Sequence, residues 1–403
     1  MNKKSILLIM PYGSVGGMER LALGFYNYYK KVGYDVKALK FIKLDNDIIK
    51  FGEDELFLSD YDFYQMSKIQ RLLFYVKAPY LINRIIKNHK FTHSIAFGDM
   101  ANLFSSLSFS KEFKIGSIHA LKSTEFKNKT IFNTISKLGY KTSYKFLDKL
   151  VCISIAIKED LIKNCSYKFD NIEIIYNPHD LIDIIRLSKE AIIEDDEKEI
   201  FSKQTILFLG RLSIQKAPWH LIKSFKLVLN QFPDTNLVII GDGDSNVTQH
   251  LQNLIEELNI KKSVHLLGRR NNPYKYLVKS NVLALSSYYE GTPNVIVEAM
   301  CLETPIVSTY CTKGIIELMS LKNHSETNIN IEVEAGIITP NIFKGKLLQI
   351  PNDNKLIKEE ILFADALKKM LETNNYKKQL QEHKIKLLGK FDINKITMQY
   401  IKK

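Results

Sequence analysis

Short apolar runs alternate with amphipathic stretches along the whole chain. In the first half, the runs that predict β-strands occupy residues 5–10, 35–39, 92–97, 114–118, 150–153 and 172–175. Segment 18–29 repeats apolar residues at helical spacing and predicts the first helix. Because strands that alternate with helices build parallel β-α units, this pattern predicts a doubly wound α/β sheet.

The alternation restarts after residue 200. Further strands are predicted at 205–209, 236–240, 264–267, 282–285 and 305–308, with helices at 218–230, 247–258, 273–278 and 293–301. Asn, Pro and Asp at 177–180 predict a turn, and the acidic segment 193–200 is interpreted as a surface linker. We therefore expect two α/β domains in tandem, at 1–180 and 201–387, followed by a helix at about 388–403.

The chain is basic, and its excess of positive charge is uneven. The 57 Lys and Arg residues outnumber the 44 Asp and Glu residues by 13, which favours phosphorylated substrates, nucleic acid or a membrane surface as partners. Between residues 121 and 150, seven lysines are interleaved with aromatic residues. That mixture suits either a helix resting on anionic lipid or a solvated helix face. No nucleic-acid-binding module accompanies the lysines, so nucleic acid is the least favoured partner.

The sequence also restricts the cellular setting. No uninterrupted apolar run approaches the ~18 residues that a membrane-spanning helix needs. The N-terminal run at 6–10 is too short for a signal-peptide core. We therefore expect a cytoplasmic protein, with any membrane association peripheral and on the inner face. The cysteines show no C-x-x-C spacing and are predicted to be buried thiols; they are Cys152, Cys165, Cys301 and Cys311.

Three loops that follow predicted strands carry the candidate chemistry. The first is the glycine-rich loop 11–17, which opens the first helix. Gly16 and Gly17 would let the backbone approach a ligand, and helix N-terminal amides attract phosphate. The dinucleotide spacing G-x-G-x-x-G is absent. A tight structural turn is therefore the alternative interpretation of this loop.

The second loop is GRLSIQK, residues 210–216, directly after the first strand of the second domain. Ligands of open α/β sheets bind at the carboxyl ends of the strands, so a substrate site is expected here, beginning at Gly210. Arg211 offers a planar fork to phosphate and Lys216 a mobile point charge. Together they could neutralise a diphosphate, although the same pair could be two solvated cations on a loop.

The third loop, at residues 286–300, carries two glutamates around a predicted helix start. Glu290 precedes a glycine and Glu298 lies eight positions later. The first-turn amides of a helix have no intrahelical partners and face towards an anion. Pro293 is expected in the first helical turn, where its missing N–H costs nothing. The predicted substrate-binding residues at this helix start are Gly291, Thr292, Pro293, Asn294 and Val295.

In their order and spacing, these segments resemble glycosyltransferase family 4, whose members have the GT-B fold, retain anomeric configuration and serve bacterial surface-polysaccharide synthesis. The match covers nearly the whole chain and includes an E-x(7)-E motif at Glu290 and Glu298. VGGMER at 15–20 is similar to the family's first-domain loop. The resemblance implies two Rossmann-like domains facing across a cleft. The first would bind the acceptor and the second the nucleotide sugar, and the terminal helix would cross back to the first domain.

The resemblance also implies roles for the charged residues of the second domain. Arg211 and Lys216 would bind the donor diphosphate and support departure of the leaving group. Glu298 would bind the ribose hydroxyls. Glu290 would contact the donor hexose near the reacting centre. No metal ion and no cofactor would be required, because cations and helix amides stabilise the developing charge.

Other positions match the family less closely. Gly16 and Gly17 would close over the phosphates. His119 matches the family's first-domain histidine only by its position after a strand, and an ordinary histidine is the alternative. Ala217 replaces the usual glycine after the lysine, and residues 312–317, in a loop that would touch the donor, depart from the related sequences.

The implied reaction transfers a hexose or N-acetylhexosamine from a nucleotide-diphosphate sugar, by family habit a UDP-sugar, to a glycan or lipid-linked acceptor. Asp242-Gly243-Asp244 could be a metal motif, but its place after a strand favours a strand-end loop. A nucleotide-sugar epimerase of the same architecture and a non-catalytic nucleotide-sugar-binding partner are the alternatives. An epimerase would need further acid–base groups around the hexose.

Overall fold

The computed structural model describes residues 4–12, 17–45, 47–126, 131–343, 349–351 and 354–403. The chain divides into two compact units. The N-terminal unit comprises Met1–His179 together with Phe391–Lys403, and the C-terminal unit comprises Asp180–Lys390. Each is a Rossmann-like α/β domain built on a predominantly parallel sheet, which confirms the predicted fold class.

The N-terminal unit is built on a parallel sheet. Its strands among the described residues are β1 (Ser5–Met10), β2 (Asp35–Ile42), β3 (Glu55–Ser59), β4 (His93–Phe97), β5 (Phe113–Ile118), β6 (Lys149–Cys152) and β7 (Ile172–Ile174). They are arranged in the order β3-β2-β1-β4-β5-β6-β7. In the register, Ile6 of β1 lies opposite both Val36 of β2 and His93 of β4. The order reverses between β1 and β4, so the loop after β1 begins at a topological switch point.

Helices cover both faces of this sheet. They are α1 (Gly17–Lys31), α2 (Lys68–His89), α3 (Asp99–Ser106), α4 (Lys122–Glu125), α5 (Ile131–Lys141), α6 (Ile155–Asn164) and α16 (Ile393–Tyr400). Alternate residues of β1 point to opposite faces. Ile6 and Leu8 pack with residues of α1 and α16, whereas Leu7 and Ile9 pack with residues of α2, α3 and α6. Two short 3₁₀ turns, Gly52–Asp54 and Ser143–Phe146, complete the described elements.

The C-terminal helix belongs to this unit. The rings of Phe25 and Tyr400 lie 4.7 Å apart, and the Tyr29 hydroxyl donates a 2.6 Å hydrogen bond to the Thr397 carbonyl oxygen. The helix expected over 388–403 is shorter than predicted. Asp392 caps α16 at its start, accepting a hydrogen bond from the backbone N–H of Lys395.

Three histidines of the N-terminal unit are held neutral, which predicts acid sensitivity. Burial lowers the pKa of His93 and of His179 to about 4 and that of His119 to about 3, and nearby lysines add to the effect at His93 and His119. In the unfolded chain these groups protonate near pH 6.5. The stability they contribute is therefore complete above pH 6.5 and is lost as the pH falls towards 4. Each histidine is expected to remove about 1–2 kcal/mol between pH 6.5 and pH 5.

Calorimetry between pH 7.5 and pH 5 tests this pH dependence. His179→Leu should flatten the decline in the unfolding midpoint, because the buried His179 ring packs edge-on against Phe391 and a leucine fills similar space. His89→Leu, at an exposed position at the end of α2, is the matched control and should leave the decline unchanged. Parallel curves for the wild type and His179→Leu would contradict the argument.

The C-terminal unit repeats this construction. Its strands among the described residues are β8 (Thr205–Leu209), β9 (Asn236–Ile240), β10 (Val264–Gly268), β11 (Val282–Leu285), β12 (Ile306–Thr309), β13 (Ile331–Val333) and β14 (Gly336–Thr339). The sheet order is β10-β9-β8-β11-β12-β14-β13. Its neighbouring strands pair in parallel except for β13, which is antiparallel to β14. The order reverses between β8 and β11, so these two strands flank the second topological switch point.

The helices of the C-terminal unit enclose a large apolar core. They are α7 (Leu181–Ser188), α8 (Asp195–Ser202), α9 (Pro218–Leu229), α10 (Ser245–Glu257), α11 (Tyr274–Leu277), α12 (Asn294–Cys301), α13 (Lys313–Met319), α14 (Lys358–Glu372) and α15 (Asn375–Leu388). Trp219 and Phe225 of α9 are fully buried in this core beside Phe363 of α14.

The interpretation of residues 193–200 as a linker is wrong. Most of this segment lies in α8, whose first turn is acidic and therefore favourable to the helix dipole. Glu197 is buried. It pairs with Arg270 at 2.6 Å and accepts a 2.6 Å hydrogen bond from the Tyr276 hydroxyl. Because a buried carboxylate needs such partners, this helix is fastened to the rest of the C-terminal unit.

The basic segment 121–150, which was expected to be either a lipid-contacting or a solvated helix face, is partly buried. Lys122 is buried and lies 3.0 Å from Asp99 and 2.6 Å from Glu125. Lys149 is also buried, lies 3.1 Å from Glu173 and donates hydrogen bonds to two backbone carbonyls near the C-terminus. Lys127 and Lys129 lie outside the described residues. Two of the seven lysines therefore serve the fold rather than a surface.

Two further predictions concern the whole chain. All four cysteines are buried and free, as their spacing predicted. Within the part of the chain that the structure describes, no helix combines the length and the apolar content that crossing a bilayer requires.

Candidate functional site

The loop after β8 is shaped by close backbone approach to the loop after β9. The backbone N–H of Leu212 donates a 2.8 Å hydrogen bond to the Asp242 carbonyl oxygen. A Cβ on Gly241, which has φ of +148°, would collide with the Gly210 carbonyl oxygen. Only glycine fits there, because the two strand ends of the switch region come within backbone contact.

The same loop is fastened on its other side to the loop after β11. The Ser286 hydroxyl donates a 3.0 Å hydrogen bond to the Ala217 carbonyl oxygen. The backbone N–H of Tyr288 donates to the Gln215 carbonyl oxygen at 2.8 Å, and the Gln215 side chain donates to the Tyr289 carbonyl oxygen at 3.0 Å. β8 and β11 are neighbours, so the motifs at 210–216 and 286–291 form one structure.

Two predicted site residues meet at the centre of this structure. The Lys216 ammonium lies 2.5 Å from a Glu290 carboxylate oxygen, and the Ser287 hydroxyl donates a 2.8 Å hydrogen bond to the same oxygen. The Glu290 side chain is only 8% exposed and that of Lys216 19%, so the pair is largely shielded from water. A shielded pair of this kind keeps both charges in fixed positions at the strand ends.

Ala217 follows the lysine with a left-handed backbone, at a position where the sequences that the chain resembles have glycine. Its φ is 42° and its ψ is 50°. That conformation costs a residue with a Cβ about 1–2 kcal/mol, so glycine would be the unstrained choice. Ala217 is fully buried and precedes Pro218, the first residue of α9. The strained turn thus directs the chain from Lys216 into the core.

Arg211 and Glu298 complete the charged residues predicted for this unit. Arg211 is exposed and forms no hydrogen bond or ion pair with any described residue. Glu298 lies on α12, partly buried, with one carboxylate oxygen 3.4 Å from the Tyr274 hydroxyl. Pro293 is the residue before α12 rather than a member of its first turn, which corrects its predicted position by one residue. The helix still begins directly after the loop that carries Glu290.

The start of α12 is closely packed against the loop after β12. A Cβ on Gly314 would collide with the Gly291 carbonyl oxygen. Thr292 has a buried side-chain oxygen without a hydrogen-bond partner among the described residues. The segment 312–317, which departs from the sequences that the chain resembles, therefore contacts the loop before α12 at Gly291.

A cavity of about 440 Å³ opens beside the loop after β8. It is formed by the carboxyl ends of β9 and β10 and by one face of α10, and it is lined among others by Leu212, Gly243, Thr248, Gln249 and Leu266. Asp244 caps α10, accepting a 2.8 Å hydrogen bond from the backbone N–H of Asn246. Asp244 therefore caps a helix from the loop that follows β9, as the interpretation of residues 242–244 as a strand-end loop requires.

Sequence reasoning missed a buried network behind the loop after β11. His220 lies 2.5 Å from a Glu360 carboxylate oxygen and 2.9 Å from the Tyr288 hydroxyl, and Lys223 lies 2.6 Å from Glu360. Burial lowers the pKa of His220, although Glu360 opposes the shift. Tyr288 is two residues from Glu290, so the network helps to fix the position of that carboxylate. The one feature of the sequence that points to this network is Glu360, a glutamate within the apolar repeat of α14.

The N-terminal unit contains the remaining predicted site residues. Gly17 is the first residue of α1, and Gly16 lies outside the described residues. His119 directly follows β5, with its ring stacked on Phe97 and one ring nitrogen 2.8 Å from the Ser117 hydroxyl. Its strongly lowered pKa keeps the imidazole neutral at pH 7, so it would act as a hydrogen-bonding group rather than as a cation.

Comparison with known proteins identifies the class of this chain. Residues 191–328 match the family described as glycosyl transferases group 1. The chain is 31% identical over 341 residues to an uncharacterized glycosyltransferase of Methanocaldococcus jannaschii, across 81% of this chain and 82% of that protein. The chain therefore belongs to the glycosyltransferases.

Two further similarities bear on its fold and its setting. The chain is 30% identical over 276 residues to an N-acetylgalactosamine-N,N'-diacetylbacillosaminyl-diphospho-undecaprenol 4-alpha-N-acetylgalactosaminyltransferase of Campylobacter jejuni, across 68% of this chain and 65% of that protein. The crystal structure of Anabaena HepE in complex with UDP and glucose superposes with a TM-score of 0.72 and 18% identity, covering 98% of each chain. At that identity the likeness concerns the fold, which is of the GT-B type.

Proposed function

We propose that this chain is a retaining, metal-independent family 4 enzyme that transfers a hexose or N-acetylhexosamine from a UDP-sugar to a lipid-linked or glycan acceptor. The observation that most supports this proposal is the shielded Lys216–Glu290 pair at the topological switch point of the C-terminal unit. It lies in the loop region that also borders the cavity after β9 and β10. Surface-polysaccharide synthesis at the inner membrane face is the proposed setting.

The C-terminal unit would bind the donor. The cavity lined by Leu212 and Gly243 has room for a nucleobase, and Arg211 has no partner among the described residues that would compete with a phosphate. Lys216 is held at the strand end by Glu290 and would place its charge on the diphosphate. Glu298, on the helix that starts beyond the Glu290 loop, would accept hydrogen bonds from the ribose.

The reaction would proceed by front-face attack on the anomeric carbon. The bond between that carbon and the phosphate oxygen breaks, and its electron pair stays on the diphosphate. The acceptor hydroxyl oxygen bonds to the carbon, and its proton passes to the departing phosphate oxygen. Arg211, Lys216 and the first-turn amides of α12 would stabilise the charge that develops on the diphosphate. Glu290 would orient the hexose.

The N-terminal unit would bind the acceptor. The Campylobacter relative acts on a diphospho-undecaprenol-linked sugar according to its name, which supports a lipid-linked acceptor here. Gly16 and Gly17 would let the loop after β1 approach the donor phosphates, and neutral His119 would offer a hydrogen bond to a sugar hydroxyl.

A donor screen tests the proposal. UDP-galactose, UDP-glucose and their N-acetyl forms, with GDP-mannose as comparison, are added in EDTA and the unfolding midpoint is measured. A ligand at ~100 times its Kd should stabilise by ~2.7 kcal/mol. Arg211→Ala should reduce the shift. Arg186→Ala, which removes another exposed arginine of the same unit that pairs with Asp183, should not.

The products distinguish the competing functions. Incubation of the stabilising donor with water as acceptor should release the sugar with its anomeric configuration retained, as observed by NMR before mutarotation. A new UDP-sugar formed without an acceptor would instead identify an epimerase. If no nucleotide sugar raises the unfolding midpoint, the donor assignment is wrong.

A further inference from the structure

Helix α2 has two apolar faces, of which the N-terminal unit uses one. Phe74, Ala78, Ile82 and Ile86 recur every four residues and are buried against the sheet. Ser67 caps the helix, and its capping box with Gln70 defines the start. The buried face alone accounts for the attachment of α2 to the core.

The opposite face of α2 is apolar and exposed to solvent. We call it the outer face of α2; its members are Ile69, Leu72, Leu73, Val76 and Tyr80. Ile69 is 72% exposed, Leu72 64% and Val76 70%. At about 100° per residue, the five side chains form one stripe roughly opposite the buried face. Single exposed apolar residues are ordinary, but a contiguous stripe of this kind marks a binding surface.

Neighbouring aromatic residues extend this surface. Asn83 of α2 donates a 2.6 Å hydrogen bond to the Ser108 carbonyl oxygen, which places the next residue, Phe109, beside the helix. Phe109 is 67% exposed and its ring lies 5.5 Å from that of Phe146. Tyr64, which precedes α2, is 92% exposed. Aromatic side chains are favoured at the boundary between lipid tails and water.

The charge of α2 selects the partner. Its 22 residues contain no Asp or Glu, and they include Lys68, Arg71, Lys77, Arg84 and Lys87. On the helical wheel, Lys77 and Arg84 border the stripe on one side, and Lys87 continues it about two turns beyond Tyr80. A second copy of this face would bring like charges together. An apolar stripe bordered by cations instead matches an anionic bilayer surface, where apolar side chains enter the interface and lysines and arginines contact phosphates.

We infer that the outer face of α2 docks the protein on an anionic lipid bilayer. The biological purpose of this docking, access to a lipid-linked acceptor, rests on the proposed function. Binding to the bilayer itself requires neither donor nor acceptor. It also excludes Lys122 and Lys149 from the membrane contact expected for residues 121–150, because both form buried ion pairs, whereas Phe146 of that segment lies beside Phe109 at the edge of the proposed surface. The docking surface is a helix that the charge pattern of the sequence did not single out.

Sedimentation of the full chain with vesicles tests the inference. The wild type should bind vesicles of 30% phosphatidylglycerol in phosphatidylcholine, bind pure phosphatidylcholine at least tenfold more weakly, and dissociate as salt is raised. Leu72→Gln with Val76→Gln should lower binding at least tenfold without changing the net charge. Lys77→Gln with Arg84→Gln should weaken binding and reduce its salt dependence.

Matched substitutions separate this surface from general stickiness. Ile182 and Ile385, both in the C-terminal unit, are 81% and 86% exposed, so Ile182→Gln with Ile385→Gln removes equivalent apolar area and should leave vesicle binding unchanged. Unfolding midpoints confirm that each variant is folded. A wild type that fails to bind the anionic vesicles, or an outer-face variant that binds like the wild type, overturns the inference.

Two further outcomes have distinct meanings. If ultracentrifugation shows a dimer that Leu72→Gln with Val76→Gln dissociates, and vesicles are not bound, the surface serves a second copy and the inference is wrong. If vesicles are bound as expected but no nucleotide sugar stabilises the protein, the proposed function fails and membrane docking remains. The vesicle assay contains no sugar substrate, so the two failures are distinguishable.

Discussion

Lys216→Ala is expected to lower kcat about 100-fold while the C-terminal unit remains folded. Lys216 is the shielded cation at the switch point, held 2.5 Å from Glu290. Removing one group aimed at the charge of the transition state costs ~10²–10³ in kcat when the site is shielded from water. KM for the donor should change less, because Arg211 and the start of α12 would still bind the diphosphate.

The same substitution should also reduce stability. Glu290 is buried and would lose its ammonium partner, while the hydrogen bond from Ser287 would remain. Breaking a buried pair by removing one partner costs about 3–5 kcal/mol, and the remaining exposure of Lys216 places the expected value at or below the lower end. Kinetics at saturating donor must therefore be measured well below the unfolding midpoint of the variant.

Two companion variants make the result decisive. Lys262→Ala removes an exposed lysine of the same unit and should leave kcat unchanged. Lys216→Met with Glu290→Gln removes both charges of the pair and should recover much of the lost stability without recovering kcat. A folded Lys216→Ala variant with wild-type kcat would refute the proposed role of this lysine at the diphosphate.

Gly241→Ala is expected to destabilise the C-terminal unit by about 3 kcal/mol or more, because a new Cβ would collide with a backbone carbonyl oxygen. That oxygen belongs to Gly210, and the alanine would also have to adopt φ near +148°. The collision would push the loop after β8 away from the loop after β9. Arg211 follows Gly210 directly, so donor-induced stabilisation should fall together with the unfolding free energy.

The single tryptophan makes this measurement specific to one unit. Trp219 is fully buried in the C-terminal unit, so its fluorescence in urea follows the unfolding of that unit. Gly268→Ala is the matched control. Gly268 has φ of +66° with no atom within 4 Å of an added Cβ, so only the left-handed backbone cost of about 1–2 kcal/mol applies. Equal midpoints for the two variants would show that close approach at Gly241 carries no special cost.

The strands were the most predictable elements. The bounds predicted for β1, β8, β9 and β11 agree with the structure. Central strands of a parallel sheet are buried on both faces, so each reads as a short continuous apolar run that ends at a turn residue. The strands β3, β13 and β14 were not predicted. The residues of β3 are only partly buried, and β13 is a three-residue edge strand with a glutamate at its centre, so neither shows such a run. β14 is fully buried, but its four residues begin with glycine and end with threonine, which leaves only two apolar residues between them.

Two helices show why other elements escaped prediction. α2 has apolar residues on opposite faces and Pro79 within it, so it lacks the one-sided repeat by which a surface helix is recognised. α8 has an acidic sequence typical of a solvated linker. It packs as a helix because Glu197 finds Arg270 and Tyr276, which lie more than 70 residues away.

The sequence by itself determined the α/β class, the restart of the pattern after residue 200, and the motif residues with their chemistry, since these are local properties of burial and side-chain type. Only the tertiary structure decided that Lys216 and Glu290, 74 residues apart, form one pair. It likewise decided that Lys122 is committed to the fold and that α2 presents a second apolar face to solvent. Sheet order brings distant strand ends together, and that order arises from the packing of the whole domain rather than from any single segment.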